Sequence, residues 1–338
     1  MEGRAALSAY KSGVRKRYLC LAGLMSLLLV ALCFWRLLQG EWDLPPERVL
    51  ELLSPFLKYP DTAAPEAVVV RSVRLPRLMA SLAGGGLLCV SGIVLQALLG
   101  NPLAEPYTLG IASGAALGGA VGILLGWNTT LSAFSGALLA LWIVYGIAWR
   151  SGGAMNLVLA GIVTNAFLSA GVTFMKAIAD DKLGAIVYWL MGSFAGVSVS
   201  KALAVWGAAL LVLFSSWVYG RQLDAVSLGR ERGALLGIDE DRMRLLLLCA
   251  ASFGTAVAVG AFGIVGFVGL VVPHLLRLGV GGLHRPLLLL GFLGGACLMT
   301  LSDGVAQSLD ELPVGVVTAL IGVPVFCRIL VRKGGIRR

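Results

Sequence analysis

Ten apolar stretches separated by short polar intervals constrain this chain more than any other feature. They run approximately over residues 18–38, 78–99, 107–126, 131–149, 155–175, 203–219, 245–262, 264–280, 287–302 and 314–331. A helix needs about 20 mostly apolar residues to cross a bilayer, and each stretch approaches that length. In water such helices would have no polar outer face. Lipid accepts them provided every backbone group is bonded internally. Composition agrees, with 58% of the 338 residues apolar and 13% charged, the latter about half the share usual in soluble domains. The fold class expected is an all-α polytopic membrane protein of about ten transmembrane helices. Residues 1–17 would form a cytoplasmic N-terminal segment, 18–331 a single transmembrane domain and 332–338 a cytoplasmic tail. The stretches that meet near Gly263 have no polar loop between them. Read as one span, they would make the count odd and put the termini on opposite sides.

Charge decides between these topologies. With ten spans and both termini inside, 18 of the 27 basic residues fall on the cytoplasmic side, as the positive-inside rule favours. The net charge of +9 is therefore read as topology, with lipid as the contact and no nucleic acid. Lys11, Arg15, Lys16 and Arg17 precede the first stretch as they would in a signal peptide, but Trp35, Arg36 and Leu37 stand where a small-residue cleavage site would lie, so a retained helix is expected. Cys20, Cys33, Cys89, Cys249, Cys297 and Cys327 all lie in apolar stretches without metal-ligand spacing. They read as small hydrophobes. Two histidines, His274 and His284, are too few for a histidine metal cluster. No metal site and no catalytic residues are expected.

The energy source must lie elsewhere. No Gly-Lys-Ser/Thr run occurs, so a Walker-type phosphate cradle is missing from the sequence. Acidic residues cluster at stretch ends, with Asp303 the nearest to a mid-span carboxylate, which disfavours an ion-coupled secondary transporter. The interval 220–244 holds ten charges. There Asp224 or Ser227 would cap a short helix ending at Gly237, with Leu228, Leu235 and Leu236 on its apolar side. Such a helix suits docking into a partner's groove, and a solvated connector is the plainer alternative. Gly161, Asn165, Ser169 and Thr173 recur every four residues and so share one face of the fifth stretch; they serve either interhelical hydrogen bonds or a translocation path. Gly114, Gly118, Gly122 and Gly126 repeat every four residues and Gly260, Gly263, Gly266 and Gly269 every three, both read as close helix packing. Pro102 and Pro106 make the segment 101–106 a reversal. Arg74 and Arg77, three apart, would present a paired cationic patch or snorkel to the interface.

These residues resemble a known family. Arg74-Leu75-Pro76-Arg77, Ser91-Gly92, Gln96, the run NPLAEP over 101–106, Leu109-Gly110 and Leu159-Ala160-Gly161 are similar to the FecCD-type permeases of iron-siderophore, haem and cobalamin importers. The similarity continues through Tyr188–Ser193, Gly263–Leu270, Val272-Pro273-His274, Glu311–Gly315 and Gly322–Phe326, in order across about residues 70–331.

The resemblance implies the architecture of a type II ABC importer permease, in which two protomers, here expected to be identical, surround a central path. Two cytoplasmic ABC ATPase subunits would bind ATP and Mg, this chain holding no cofactor, and a periplasmic or lipid-anchored substrate-binding protein would deliver the cargo. Val226, Leu228, Gly229, Arg230, Glu231, Leu235, Leu236 and Gly237 would then form the coupling helix seated on the ATPase. Arg74 and Arg77 would receive acidic residues of the binding protein, and the Gly161–Thr173 stripe would line the path. Where relatives carry hydroxyl residues at a cytoplasmic gate this chain has Ala154 and Met155, and where they often carry Arg after Asp-x-x-Ala it has Gln307. The cargo expected is an iron(III)-siderophore or similar metal chelate, with cobalamin or haem as alternatives.

Overall fold

A computed structural model describes residues 2–53, 64–151, 154–227 and 239–335. Every regular element among them is a helix. Thirteen are numbered here: α1 (Glu2–Leu38), α2 (Pro46–Leu53), α3 (Pro65–Leu98), α4 (Ile111–Leu125), α5 (Thr129–Ser151), α6 (Ala154–Ala177), α7 (Leu183–Leu190), α8 (Val199–Val218), α9 (Gly220–Val226), α10 (Glu240–Phe262), α11 (Val268–Val280), α12 (His284–Ser308) and α13 (Val314–Gly335). Seven are long and apolar enough to cross a bilayer, and three shorter apolar ones, α4, α11 and α13, bring the number to the expected ten. The stretches meeting near Gly263 are two helices.

α3 is the central post. Its apolar span is almost wholly buried, and the helix packs against α12, α8, α10 and α11. Small residues let the backbones approach: a Cβ added to Gly85 would lie 2.2 Å from the Gly295 carbonyl oxygen. The four-residue glycine series works likewise, since Cβ atoms at Gly114 and Gly118 would meet the carbonyls of Gly136 and Ser132 on α5 at 2.4 and 2.2 Å. Gly126 instead ends α4 in the left-handed region. The three-residue series is not one packing face. Gly263 takes φ +80° and breaks the helix, while Gly266 has open space beside it.

Two expectations change. α3 begins at Pro65, not near residue 78, and includes a π-helical stretch, Val69–Arg74. α1 is continuous from Glu2 through Leu38, so the basic segment before residue 18 is part of the same helix. Leu21 packs near Gly279 and Trp35 on Gly304, which orients α1 relative to α11 and α12. One end of the bundle is marked by Arg77, the other by Arg244.

Candidate functional site

At the Arg77 end, three helices meet on one buried carboxylate. Asp303 of α12 has no solvent exposure. Its Oδ2 accepts from Arg36 Nη2 of α1 at 2.5 Å, and its Oδ1 accepts from Arg77 Nη2 of α3 at 2.9 Å. Arg77 also donates to both oxygens of Glu311, at 2.7 and 2.8 Å. Arg36 Nη1 reaches the side-chain oxygens of Gln39 and Gln307, so Gln307 faces a guanidinium supplied by α1. Glu311 and Asp310 both sit in the left-handed region, φ +59° and +54°, in the turn leading into α13. The expected paired cationic patch does not form. Arg74 and Arg77 are both buried, and Arg74 donates to the carbonyls of Leu37, Leu38 and Trp42. An outside partner would have to exchange with these bonds. A cavity of about 600 Å³ opens beside them, lined in part by Trp42, Ser72, Phe194, Ser198 and Glu311.

α6 divides the path residues expected on it. Asn165, Ser169 and Thr173 are exposed, whereas Gly161 is buried, where a Cβ would meet the Thr108 carbonyl at 2.5 Å. Gly161 therefore serves close packing. Ser113 of α4 donates to Asn165 Oδ1 and lies 3.4 Å from the Ser169 hydroxyl. Between these polar groups the same helix exposes Ile162, Val163 and Phe167. Of the expected gate, Ala154 opens α6 and Met155 is 78% exposed.

A second apolar surface lies where helices break. α10 ends at Gly263 and α11 starts after Phe267, whose φ is +69°. Val314 and Gly315 donate their N–H groups to the carbonyls of Gly192 and Met191, and a Cβ on Gly192 would stand 2.5 Å from the Ile264 carbonyl. The three irregular segments thus cross at contact distance. Beside them a groove of about 620 Å³ is lined by Met191, Ile264, Phe267, Val316, Leu320 and Val323. The segment after the reversal 101–106 reaches the same break, where the Tyr107 hydroxyl bonds the carbonyl and N–H of Val265. Burial raises the Glu105 carboxyl above the ordinary carboxylate range, and the nearby Phe267 backbone opposes the shift.

Of the expected coupling helix, Val226 closes the short α9 and packs on the core. Leu228, Gly229, Arg230, Glu231, Leu235, Leu236 and Gly237 lie outside the described residues. Asp224, one of its two expected caps, lies within α9, and its carboxylate accepts from the His284 N–H at 2.8 Å, capping α12. Sequence reasoning missed this tie, the Arg36–Asp303 pair and α2. For α2 a signal was present: Pro46 and Glu47 in its first turn, with Val49 and Leu52 on one face.

The chain is similar to a family of transport proteins. The model of the FecCD transport family matches residues 28–332. A cobalamin import system permease protein of Halobacterium salinarum is 38% identical over 283 residues, 80% of this chain and 74% of that one. A hemin transport system permease protein of Yersinia pestis is 38% identical over 280 residues, 78% of this chain and 83% of that one. An inward-facing structure of a metal-chelate type ABC transporter superposes with a TM-score of 0.81 at 33% identity, covering 92% of this chain and 98% of the other.

Proposed function

Because this chain belongs to the FecCD transport family, we propose that it is the membrane-spanning permease subunit of an ATP-driven importer that carries an iron(III)-siderophore or related metal chelate across the cytoplasmic membrane of a bacterium. One observation carries the transport geometry: α6 exposes Asn165, Ser169 and Thr173 on a face this chain leaves uncovered. Ser113 of α4 and the Ser169 carbonyl bond the Asn165 oxygen and the Thr173 hydroxyl, and at membrane depth the polar atoms left over must meet water or another helix. A second copy of the permease, set against that face, would enclose a path with polar groups along it.

The permease forms no covalent intermediate and binds no cofactor. Two ABC ATPase subunits bind ATP and Mg and act through the segment around 226–237. Both termini and the Arg244 end face the cytoplasm, a placement supported by the charge distribution. The binding protein approaches the Arg77 end, where contact with Arg74 or Arg77 requires exchange of their internal bonds. ATP and the binding protein shift the two access states only through their different affinities for them. Cobalamin or haem as cargo is a second reading, favoured by the names of the Halobacterium and Yersinia relatives.

The test is uptake by liposomes holding the chain with its ATPase and binding protein, supplied in turn with a labelled ferric siderophore, haem and cobalamin. Accumulation of one cargo that needs both ATP and the binding protein is expected. Uptake that ignores ATP and follows an imposed proton or sodium gradient would overturn the proposal.

A further inference from the structure

The break between α10 and α11 poses a problem of backbone chemistry. Its residues are surrounded by apolar side chains, and an unpaired peptide group there is costly. The backbone groups of Val265 in the break and the Gly269 carbonyl in the first turn of α11 are met by side chains of one short region, the end of α3 and the turn that follows the reversal. The Tyr107 hydroxyl donates to the Val265 carbonyl at 2.8 Å and accepts from the Val265 N–H at 3.2 Å. Glu105 lies beside the Phe267 backbone, its Oε2 buried and without a hydrogen-bond partner. Gln96 donates through Nε2 to the Gly269 carbonyl at 3.1 Å and accepts through Oε1 from Arg277.

The supporting segment is itself stiff. Asn101 bonds back to Gln96, Ala104 to Asn101, and the Asn101 side chain accepts from the Leu103 N–H, while Pro102 and Pro106 fix their own φ angles. It begins beside Leu98, whose carbonyl accepts from Arg244 in the first turns of α10. It ends against Val265 and Phe267. The Phe267 side chain in turn packs on α13, where a Cβ at Gly322 would lie 2.7 Å from its Cβ.

We propose that Gln96 and Tyr107 are positioning residues for translocation: they form a strut that holds the Gly263–Phe267 break, and with it the groove wall of Ile264 and Phe267, in place against α13. This deepens the importer reading and rests on it. The strut sets where the groove wall stands as the Arg244 end moves.

The test uses the full chain in lipid, alone for hydrogen exchange and reconstituted with its ATPase and binding protein for uptake and ATP hydrolysis. Tyr107→Phe removes two hydrogen bonds and should raise exchange across residues 263–267 by about tenfold or more. Uptake should fall several-fold while ATP hydrolysis and the folded fraction hold. Gln96→Leu leaves the Gly269 carbonyl without its side-chain partner and should lower uptake in the same way. Unchanged exchange in Tyr107→Phe overturns the strut, as does faster exchange with wild-type uptake. Parallel loss of folding, hydrolysis and uptake would reduce the two residues to structural parts and also overturns it. A wild-type complex that shows no ATP-driven uptake fails the importer reading instead, and exchange then decides the strut alone.

Discussion

Asp303 shows how one side chain commits several helices. Fully buried, it bonds guanidiniums from α1 and α3, and Arg77 carries the connection on to Glu311 before α13. Removing one member of a buried ion pair costs about 3–5 kcal/mol, because its partner stays buried without compensation. Asp303→Ala is therefore expected to lower stability by about that amount in detergent or nanodisc unfolding. A loss below about 1 kcal/mol would mean that water already reaches the cluster. Glu105 supplies a pH prediction. Its folded carboxyl sits above the ordinary range, so the folded state holds this proton more tightly than the unfolded one. Its contribution to stability is then full below the unfolded pKa and is lost as pH rises through the folded one. Glu105→Gln should flatten that decline in an unfolding series from acid to neutral pH, and an unchanged slope would assign the dependence to other groups.

Among elements, the α4–α5 crossing gives the sharpest expectation. Gly114→Ala would place a methyl 2.4 Å from the Gly136 carbonyl, backbone against which no rotamer can move. Overpacking of this kind costs about 1–3 kcal/mol. Gly207→Ala in α8 has open space around it and should be neutral or stabilising, because alanine favours helix. Equal effects in the two variants would refute the close crossing. The ten apolar helices were legible because each carries its own signal in its apolar length. What lay beyond that signal was not. The start of α3 was hidden by Arg71, Arg74 and Arg77, which interrupt the apolar run, although the fold buries Arg74 and Arg77. α2 and α7 have eight residues each, too few for a span-length search. The polar stripe on α6 was readable from four-residue spacing alone, except that spacing cannot distinguish Gly161, turned to the Thr108 carbonyl, from three neighbours turned outward. The Asp303 cluster joins residues 226 and 267 positions apart, a distance at which no local pattern carries information.

For the whole molecule, the importer reading makes two surfaces answerable to partners. Substituting Glu231→Lys together with Leu228→Asp in the charged loop is expected to abolish ATPase-subunit binding and ATP-driven uptake while leaving the chain folded; intact binding and uptake would remove that loop from the interface. The other surface is α6, where Phe167 is 75% exposed beside the polar stripe. A lipid-facing helix has no reason to carry Asn165, Ser169 and Thr173 outward, whereas a helix meeting its own copy across a path does. If the two copies face each other there, a cysteine at residue 167 in one permease lies near its counterpart in the other. With Cys20, Cys33, Cys249 and Cys327 replaced by alanine, Phe167→Cys should give a covalent dimer with a short bifunctional maleimide in native membranes. Leu27→Cys is an equally suitable target by exposure, at 69%, on α1 away from the stripe, and should give little. Dimers from both sites would indicate random collision in the bilayer. Ready labelling of residue 167 by a single-headed maleimide, with no dimer at any linker length, would place α6 against lipid or a different permease chain and refute the two-copy path.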